Sequence, residues 1–443
     1  MGLVYSLQLA IAGGCRNPRN SALAAITVAV GLAACMTTLT LLHVLSADPL
    51  PGRSQNLYLA WVDTVQAKHE DYHSLNGVKY LDYRLIKTDA AKTLLDAHRA
   101  TRQTVVAGLQ VDVGTDDSRR EQKGQDLLAT SADFAPMFGL ALRYGRPWSQ
   151  EEDRTRARVA LIDVGLAQQL FGTPNAVDRL IRVKGSLFRV IGVVAHFAPS
   201  PHFYGLDRWS FDAKRHETVF LPYSAALEVG LDNFNQDRCD ASVSEAPIHA
   251  DLARCSWLMA WVQLENAQQV SDYRQYLNHL NEQTPRSQAF GKAEPAQLIR
   301  TDEWLGMQQV VPDTVRLNVW LAGSFLLLCL VNVAGLLTAK FLSRGSEIGI
   351  RRALGAPRRA VFAQHVLEAC TVCLAGGVLA LPLTLGGLWI LRQQADSFSA
   401  LARLDLGMFT TLFALALGLG VLVGLLPAWR ASMVQPGLQV KSA

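Results

Sequence analysis

The sequence predicts a membrane protein with four transmembrane helices and a large mixed α/β periplasmic domain inserted between the first and second. Three observations predict it. Charged residues make up 18% of the chain, against about 25% in ordinary soluble domains, while hydrophobic residues reach 50% and the mean hydropathy is +0.14. Four windows contain no Asp, Glu, Lys or Arg: Asn20–Ala47, Leu317–Ala339, Ala369–Leu391 and Leu406–Trp429. The stretch between the first and second is long enough for a domain with its own core. The apolar content excludes a disordered chain, and seven Cys in 443 residues exclude a small disulfide scaffold. A net charge of only +4 gives no footing for nucleic-acid binding.

Each element follows in order. Residues 1–19 form a cytoplasmic lead-in, where Leu3, Leu7 and Ile11 at i, i+4, i+8 give an amphipathic stretch for the inner interface. Residues 20–47 form the first spanning helix, because roughly 20 apolar residues rising 1.5 Å each cross the hydrocarbon core. Its apolar run exceeds the ~7–15 residues of a signal peptide, so it stays as an anchor. Residues 48–316 are the outer domain, expected as two α/β subdomains. The second helix spans 317–339, a cytoplasmic loop 340–360, the third helix 361–391, a short periplasmic loop 392–405, the fourth helix 406–429, and a cytoplasmic tail 430–443.

Orientation follows from the basic residues. Arg16 and Arg19 precede the first helix with no acid between them. Lys340, Arg344, Arg351, Arg352, Arg358 and Arg359 stand against Glu347 alone, and Arg430 and Lys441 follow the fourth helix. Positive residues stay on the cytoplasmic side, which puts both termini and the 340–360 loop inside, the lipid bilayer around the helices, and the large domain outside.

Within that domain, apolar/polar alternation marks strands at Leu57–Asp63, Val105–Val113 and Trp257–Leu264. Leu180–Val194 reads as a hairpin turning near Lys184-Gly185-Ser186. Helical spacing appears at Val270, Tyr273, Tyr276, Leu277 and Leu280, and again between Lys79 and Arg99. The Pro-, Gly- and His-rich run His196–Leu206 reads as a mobile or partner-facing loop. Cys239 and Cys255 are the two outer cysteines, and an oxidising periplasm favours a disulfide between them. Two separate buried thiols are the alternative. Cys370 and Cys373, spaced C-x-x-C within an apolar helix, simply share one face.

Much chemistry is missing. There is no G-x-x-x-x-G-K-[ST] phosphate loop, no H-E-x-x-H and no G-x-S-x-G. The outer histidines are scattered; His69 and His73 at i, i+4 sit beside Glu70 and Asp71 and read as a solvated helical face. Neither a catalytic nor a metal residue is predicted. In the spanning helices the polar candidates are His43, Asn332 and Glu368. Glu368 reads as a carboxylate held by the positive end of a helix dipole, with a proton relay as the alternative.

The segment with most to say is the inner loop. Ser346 can cap a short helix with Glu347 just inside its positive end. Gly355 can close it, and Pro357 can begin the next. Ile348, Ile350 and Leu354 supply an apolar footing, Arg351 and Arg352 offer forked donors to carboxylates, and Gly349 permits close backbone approach. From the residues alone, a docking helix and a loop that only sets topology are equally open.

The run Glu347-Ile-Gly-Ile-Arg-Arg-Ala-Leu-Gly-Ala356 resembles the signature of FtsX-like permeases, the membrane subunits of MacB-type ABC transporters. Gln364-His-Val-Leu-Glu-Ala369 and Gly424-Leu-Leu-Pro-Ala-Trp-Arg430 extend the resemblance. Ser131–Leu140, Gly145-Arg-Pro147, Ala160–Gly172 and Ile181–Val194 resemble the MacB periplasmic core, and Leu9–Ala12 with Arg16-Asn-Pro18 resembles the family's opening segment. The tail Ser432–Gly437 and the stretch from about His202 to Arg254 depart from the pattern.

That resemblance implies a non-catalytic permease subunit that conveys ATP-driven motion to its outer domain, for efflux of peptides or antibiotics or for lipoprotein handling. Glu347, Ile348, Gly349, Ile350, Arg351, Arg352, Leu354 and Gly355 would couple it to a separate cytoplasmic ABC ATPase. No cofactor is expected in this chain, since the partner would hold ATP and Mg. A second permease copy or paralogue is implied, as are a periplasmic adaptor and outer-membrane channel. Two other readings stand beside this one: a conventional translocator with a path through the bilayer, and an envelope sensor or scaffold that moves no cargo.

Overall fold

The computed structural model describes residues 18–63, 72–75, 78–81, 84–117, 119–205, 216–231, 238–239, 255–283, 295–308, 310–311, 313–343, 350, 354, 357–393 and 406–432. The chain divides into two units, Ala47–Val310 and a second made of Met1–Ser46 with Val311–Ala443. In chain order α1 (Pro18–Leu45) leads into β1 (Leu57–Trp61), β2 (Tyr72–Leu75), β3 (Val78–Leu81), β4 (Ile86–Lys87), α2 (Thr88–Ala97), β5 (Arg102–Thr115), β6 (Glu121–Thr130), α3 (Phe134–Phe138), β7 (Leu142–Gly145), α4 (Gln150–Arg154), β8 (Val159–Asp163) and α5 (Val164–Phe171). It continues with β9 (Leu180–Val183), β10 (Ser186–Val194), β11 (Val219–Pro222), α6 (Tyr223–Glu228), β12 (Arg238–Cys239), β13 (Cys255–Gln263), α7 (Ala267–Gln283), β14 (Gln297–Arg300) and α8 (Thr301–Met307). The last helices are α9 (Asp313–Leu342), α10 (Arg358–Gln393) and α11 (Leu406–Ser432).

Among the described residues, the intervening domain is built on a mixed sheet of twelve strands whose spine runs β14-β1-β13-β5-β6-β11-β8-β10-β7. Successive side chains of a strand point to opposite faces, and here both faces are apolar. Ala60, Val105, Ala107, Ile162, Leu221 and Val262 pack on one side with Leu94 of α2, Leu166 of α5 and Tyr273 of α7. Leu59, Val106, Leu161, Phe220, Met259 and Trp261 pack on the other with Phe134 and Phe138 of α3 and Trp304 of α8. Each such large side chain contributes about 1.5–3 kcal/mol by leaving water. Twelve of the fourteen described strands join into this sheet, with the two apolar layers on its opposite faces, while β2 and β3 pair separately.

The hairpin at 180–194 forms as expected. β9 and β10 pair antiparallel with Val183 opposite Ser186, and Lys184 and Gly185 carry φ of 46° and 80°. Positive φ at both central residues suits the right-handed twist of the strands. The expected strands appear as β1, β5 and β13, and the expected helix around 270–280 as α7.

Two expectations are corrected. The stretch between Lys79 and Arg99 is not one helix, because Lys79 lies in β3, which pairs with β2 as Leu75↔Val78. His73 is therefore on a strand and does not share a helical face with His69, which lies outside the described residues. The described part of His196–Leu206 is not open to solvent throughout. Phe203 and Tyr204 are buried, and the indoles of Trp304 and Trp261 donate to their carbonyls at 3.0 and 3.2 Å. Large aromatic surface outweighs the loop-forming Pro and Gly around it.

β12 adds to β13 with Cys239 directly opposite Cys255. Residues so paired have Cα atoms roughly 4.5–5.5 Å apart, within the range a disulfide spans.

The second unit contains α1, α9, α10 and α11, four helices long and apolar enough to cross a membrane. Their shared core includes Val28, Leu32, Leu326, Val333, Cys373 and Ala416. Without a hydrophobic drive in lipid, such helices associate through close backbone approach at small residues. Gly420 and Gly424 of α11 show this against α10: a Cβ at either would come within 2.7 Å of Cys370 Cα or Ala369 Cβ respectively. Cys370 and Cys373 are buried free thiols on that face of α10. The lead-in residues Leu3, Leu7 and Ile11 lie outside the described residues.

Candidate coupling site

The segment joining α9 to α10 is built from its two flanks inward. Beyond the last turn of α9, Ser343 N–H donates to Ala339 O at 3.0 Å and its hydroxyl to Lys340 O at 2.8 Å, so orphan carbonyls of the helix end find partners. At the start of α10, Pro357 O accepts from Ala360 N–H at 3.0 Å and Val361 N–H at 3.4 Å. Proline has no N–H to leave unsatisfied there, and it begins the helix as the sequence suggested.

Between these flanks, Leu354 N–H donates to Ile350 O at 3.0 Å, a bond with the i→i−4 spacing found in α-helices. Residues so spaced lie on the same face. Ile350 is 56% and Leu354 83% exposed, so the turn presents two aliphatic side chains side by side. Glu347, Ile348, Gly349, Arg351, Arg352 and Gly355 lie outside the described residues.

Behind the segment, α9 and α10 are tied by buried charge. Lys340 Nζ is 2.7 Å from Glu368 Oε1, with each side chain 1% exposed. The same ammonium donates to Ser21 Oγ of α1 at 2.8 Å. His365 Nδ1 is 3.7 Å from Glu368 Oε2, and its ring centroid lies 4.2 Å from that of Phe341. Isolated charges in apolar surroundings are prohibitively costly, whereas a paired and hydrogen-bonded set is tolerated. The polar node joins three helices.

This corrects the reading of Glu368 as a carboxylate held by a helix dipole. α10 begins at Arg358, about three turns before Glu368, and the dipole's influence falls off within the first turn. It also moves Lys340 out of the inner loop and into α9. The available signal was a Lys and a Glu of opposite sign, each set in apolar sequence on either side of one loop, where an intramembrane ionisable group calls for a named partner. The other two polar candidates, His43 and Asn332, are exposed.

With the geometry in place, comparison with known proteins decides the family. The model of the MacB-like periplasmic core domain matches residues 21–280, and that of the FtsX-like permease C-terminal domain matches residues 319–436. The chain belongs to the MacB-type, FtsX-like family of ABC permeases. It is 24% identical over 373 residues to the macrolide export ATP-binding/permease protein MacB of Burkholderia thailandensis, a match covering 82% of this chain and 51% of that protein. It is 25% identical over 309 residues to the pyoverdine export ATP-binding/permease protein PvdT of Pseudomonas aeruginosa, covering 69% and 40% respectively. The chain thus spans about half the length, or less, of the curated relatives it matches. Among solved structures, the periplasmic region of MacB from Actinobacillus actinomycetemcomitans aligns over 58% of this chain and 94% of that one, at 12% identity and a TM-score of 0.37.

For a MacB-type permease, the Ile350–Leu354 turn lies within the FtsX-like region and α1 begins just before the periplasmic core match. The chain is an inner-membrane protein with a periplasmic domain.

Proposed function

We propose that this permease conveys ATP-driven motion from the cytoplasmic side of the membrane to its periplasmic domain, without passing cargo between its helices. The observation that carries the reading is the exposed Ile350–Leu354 turn between two helices that Lys340 and Glu368 lock together. An exposed aliphatic pair on a short turn is a docking knob, and a rigid node behind it passes displacement to the helices instead of absorbing it. Residues 347–355 then rest on a separate cytoplasmic ABC ATPase, which holds ATP and Mg. Both termini face the cytoplasm, a second permease copy or paralogue completes the pair, and a periplasmic adaptor with an outer-membrane channel takes the cargo onward. Macrolides and pyoverdine, which name the relatives, point to export of a small amphiphilic compound or peptide.

Affinity purification of the full chain in mild detergent, with mass spectrometry of what accompanies it, tests this. An ATP-binding cassette protein is expected to co-purify and to be lost from an Ile350→Glu/Leu354→Glu variant that still reaches the membrane. Retention of the ATPase by that variant, or a kinase in its place, overturns the proposal.

A further inference from the structure

Three metal-ligating side chains scattered in sequence meet at one end of three neighbouring strands of the outer domain. Asp163 is the last residue of β8. β10 runs parallel on one side with Val194 in register with Asp163, and His196 follows just beyond its end. β11 runs antiparallel on the other side with Val219 in register with Ile162, and His216 stands just before its start. Asp163 N–H donates to Thr218 O at 2.8 Å and holds that strand end in place. One donor atom from each of Asp163, His196 and His216 lies within 4.8 Å of the other two. The two imidazole centroids are 4.4 Å apart, and His216 Nε2 is 3.9 Å from Asp163 Oδ1.

Protein groups alone leave this cluster unfinished. Asp163 Oδ1 accepts Gly165 N–H at 2.6 Å as the cap of α5, but Asp163 Oδ2 and His216 Nδ1 are buried without a hydrogen-bond partner. Such atoms carry a desolvation penalty and call for a water or an ion. At 3.9 Å the Asp163–His216 pair is too long to be a hydrogen bond.

We propose that Asp163, His196 and His216 bind a divalent transition metal ion of the zinc class. Two imidazoles and a carboxylate suit zinc, copper or nickel and not the all-oxygen sites of calcium or magnesium. Asp163 is 4% exposed while His196 is open to solvent, which gives the ion an entry path and leaves a fourth position for water, the pattern of three protein ligands around an open zinc. Metal–ligand bonds of about 2.0–2.2 Å require the donor atoms to draw together by roughly 1 Å or more. His196, itself exposed just beyond the end of β10, is the ligand placed to make that move. The bound ion would staple β8, β10 and β11 at one end.

The test uses the untagged full chain in detergent, stripped with EDTA and titrated with zinc chloride against a chromophoric chelator. One zinc per chain is expected. His196→Ala and His216→Ala should each weaken it by about 100-fold or more, beyond the 10–100-fold typical of outer-shell partners. His279→Ala, on the exposed surface of α7, should leave it unchanged. Cobalt(II) added in place of zinc should give a visible ligand-field absorption that His216→Ala abolishes. Should His216→Ala fail to fold, His196→Ala carries the test, because its ring is exposed. Absence of saturable zinc uptake, or uptake that all variants share equally, overturns the proposal and leaves Asp163 and His216 as a bare ion pair.

Discussion

Lys340 and Glu368 meet at 2.7 Å with each side chain 1% exposed, so neither charge can lose its partner without being stranded. Removing one member of such a pair costs about 3–5 kcal/mol, whereas replacing both by apolar residues of similar volume is often neutral. Lys340→Met and Glu368→Gln should each lower the melting temperature and yield of the detergent-purified protein. Lys340→Met/Glu368→Met should recover most of the loss. A double variant as unstable as the singles would show that the node acts other than as a pair.

The close approach of α11 to α10 gives a second expectation. Gly420→Val pushes side-chain atoms into the Cys370 backbone and should destabilise by about 1–3 kcal/mol, the usual cost of overpacking. Gly418→Ala has open space around its Cβ and should be neutral or slightly stabilising, since Ala is the better helix former. Thermal melting of the two variants side by side checks this.

Cys239 stands opposite Cys255 in the register of the β12–β13 ladder. A disulfide between them is expected in protein purified from an oxidising compartment, and closing a loop of this size is worth about 3 kcal/mol in the chain-entropy model. Thiol trapping with a mass-tagged maleimide, with and without reductant, should show both outer thiols protected together. Labelling of either in unreduced, denatured protein would contradict it.

Glu152 provides a pH dependence whose sign is fixed. The Arg146 guanidinium, hydrogen-bonded at 2.7 Å, holds the Glu152 carboxyl down at about 2 from an ordinary 4.5, offset by partial burial and helped by the Ser149 amide and hydroxyl. A lowered folded-state pKa contributes stability that is complete above pH 4.5 and lost as pH falls towards 2. Arg146 is largely solvent-exposed, so solvent screening limits the contribution to about 1 kcal/mol. Glu152→Gln should be less stable than the parent at pH 7, and the difference should shrink below pH 4.5 in melting curves.

How much was legible depended on whether the signal was local. Lys184-Gly185 declares its hairpin because two adjacent residues take positive φ and the flanking alternation fixes the register. The four spanning helices declare themselves through uninterrupted apolar runs. By contrast, local composition misleads around 78–81 and 203–204. Val78, Tyr80 and Leu81 fit a helical period as well as a strand, and only the Asn76-Gly77 dipeptide before them is a strong hairpin signal. The loop composition around Phe203 and Tyr204 concealed two core aromatics. Lys340 and Glu368 are legible only as two opposite charges set in apolar sequence, and Asp163 with His196 and His216 not at all, because each grouping exists only once helices or strands are laid beside one another.

The order of the sheet also sets how the domain can bear load. β1 is the first strand of the sheet and β14 the last, neighbours running antiparallel with Tyr58 opposite Arg300, so the segments before β1 and after β14 leave from the same end of one ladder. Drawn in opposite directions, they would peel β14 away bond by bond, the geometry of an opening zipper. Drawn in concert, they load the whole sheet at once, and no single rung takes the strain.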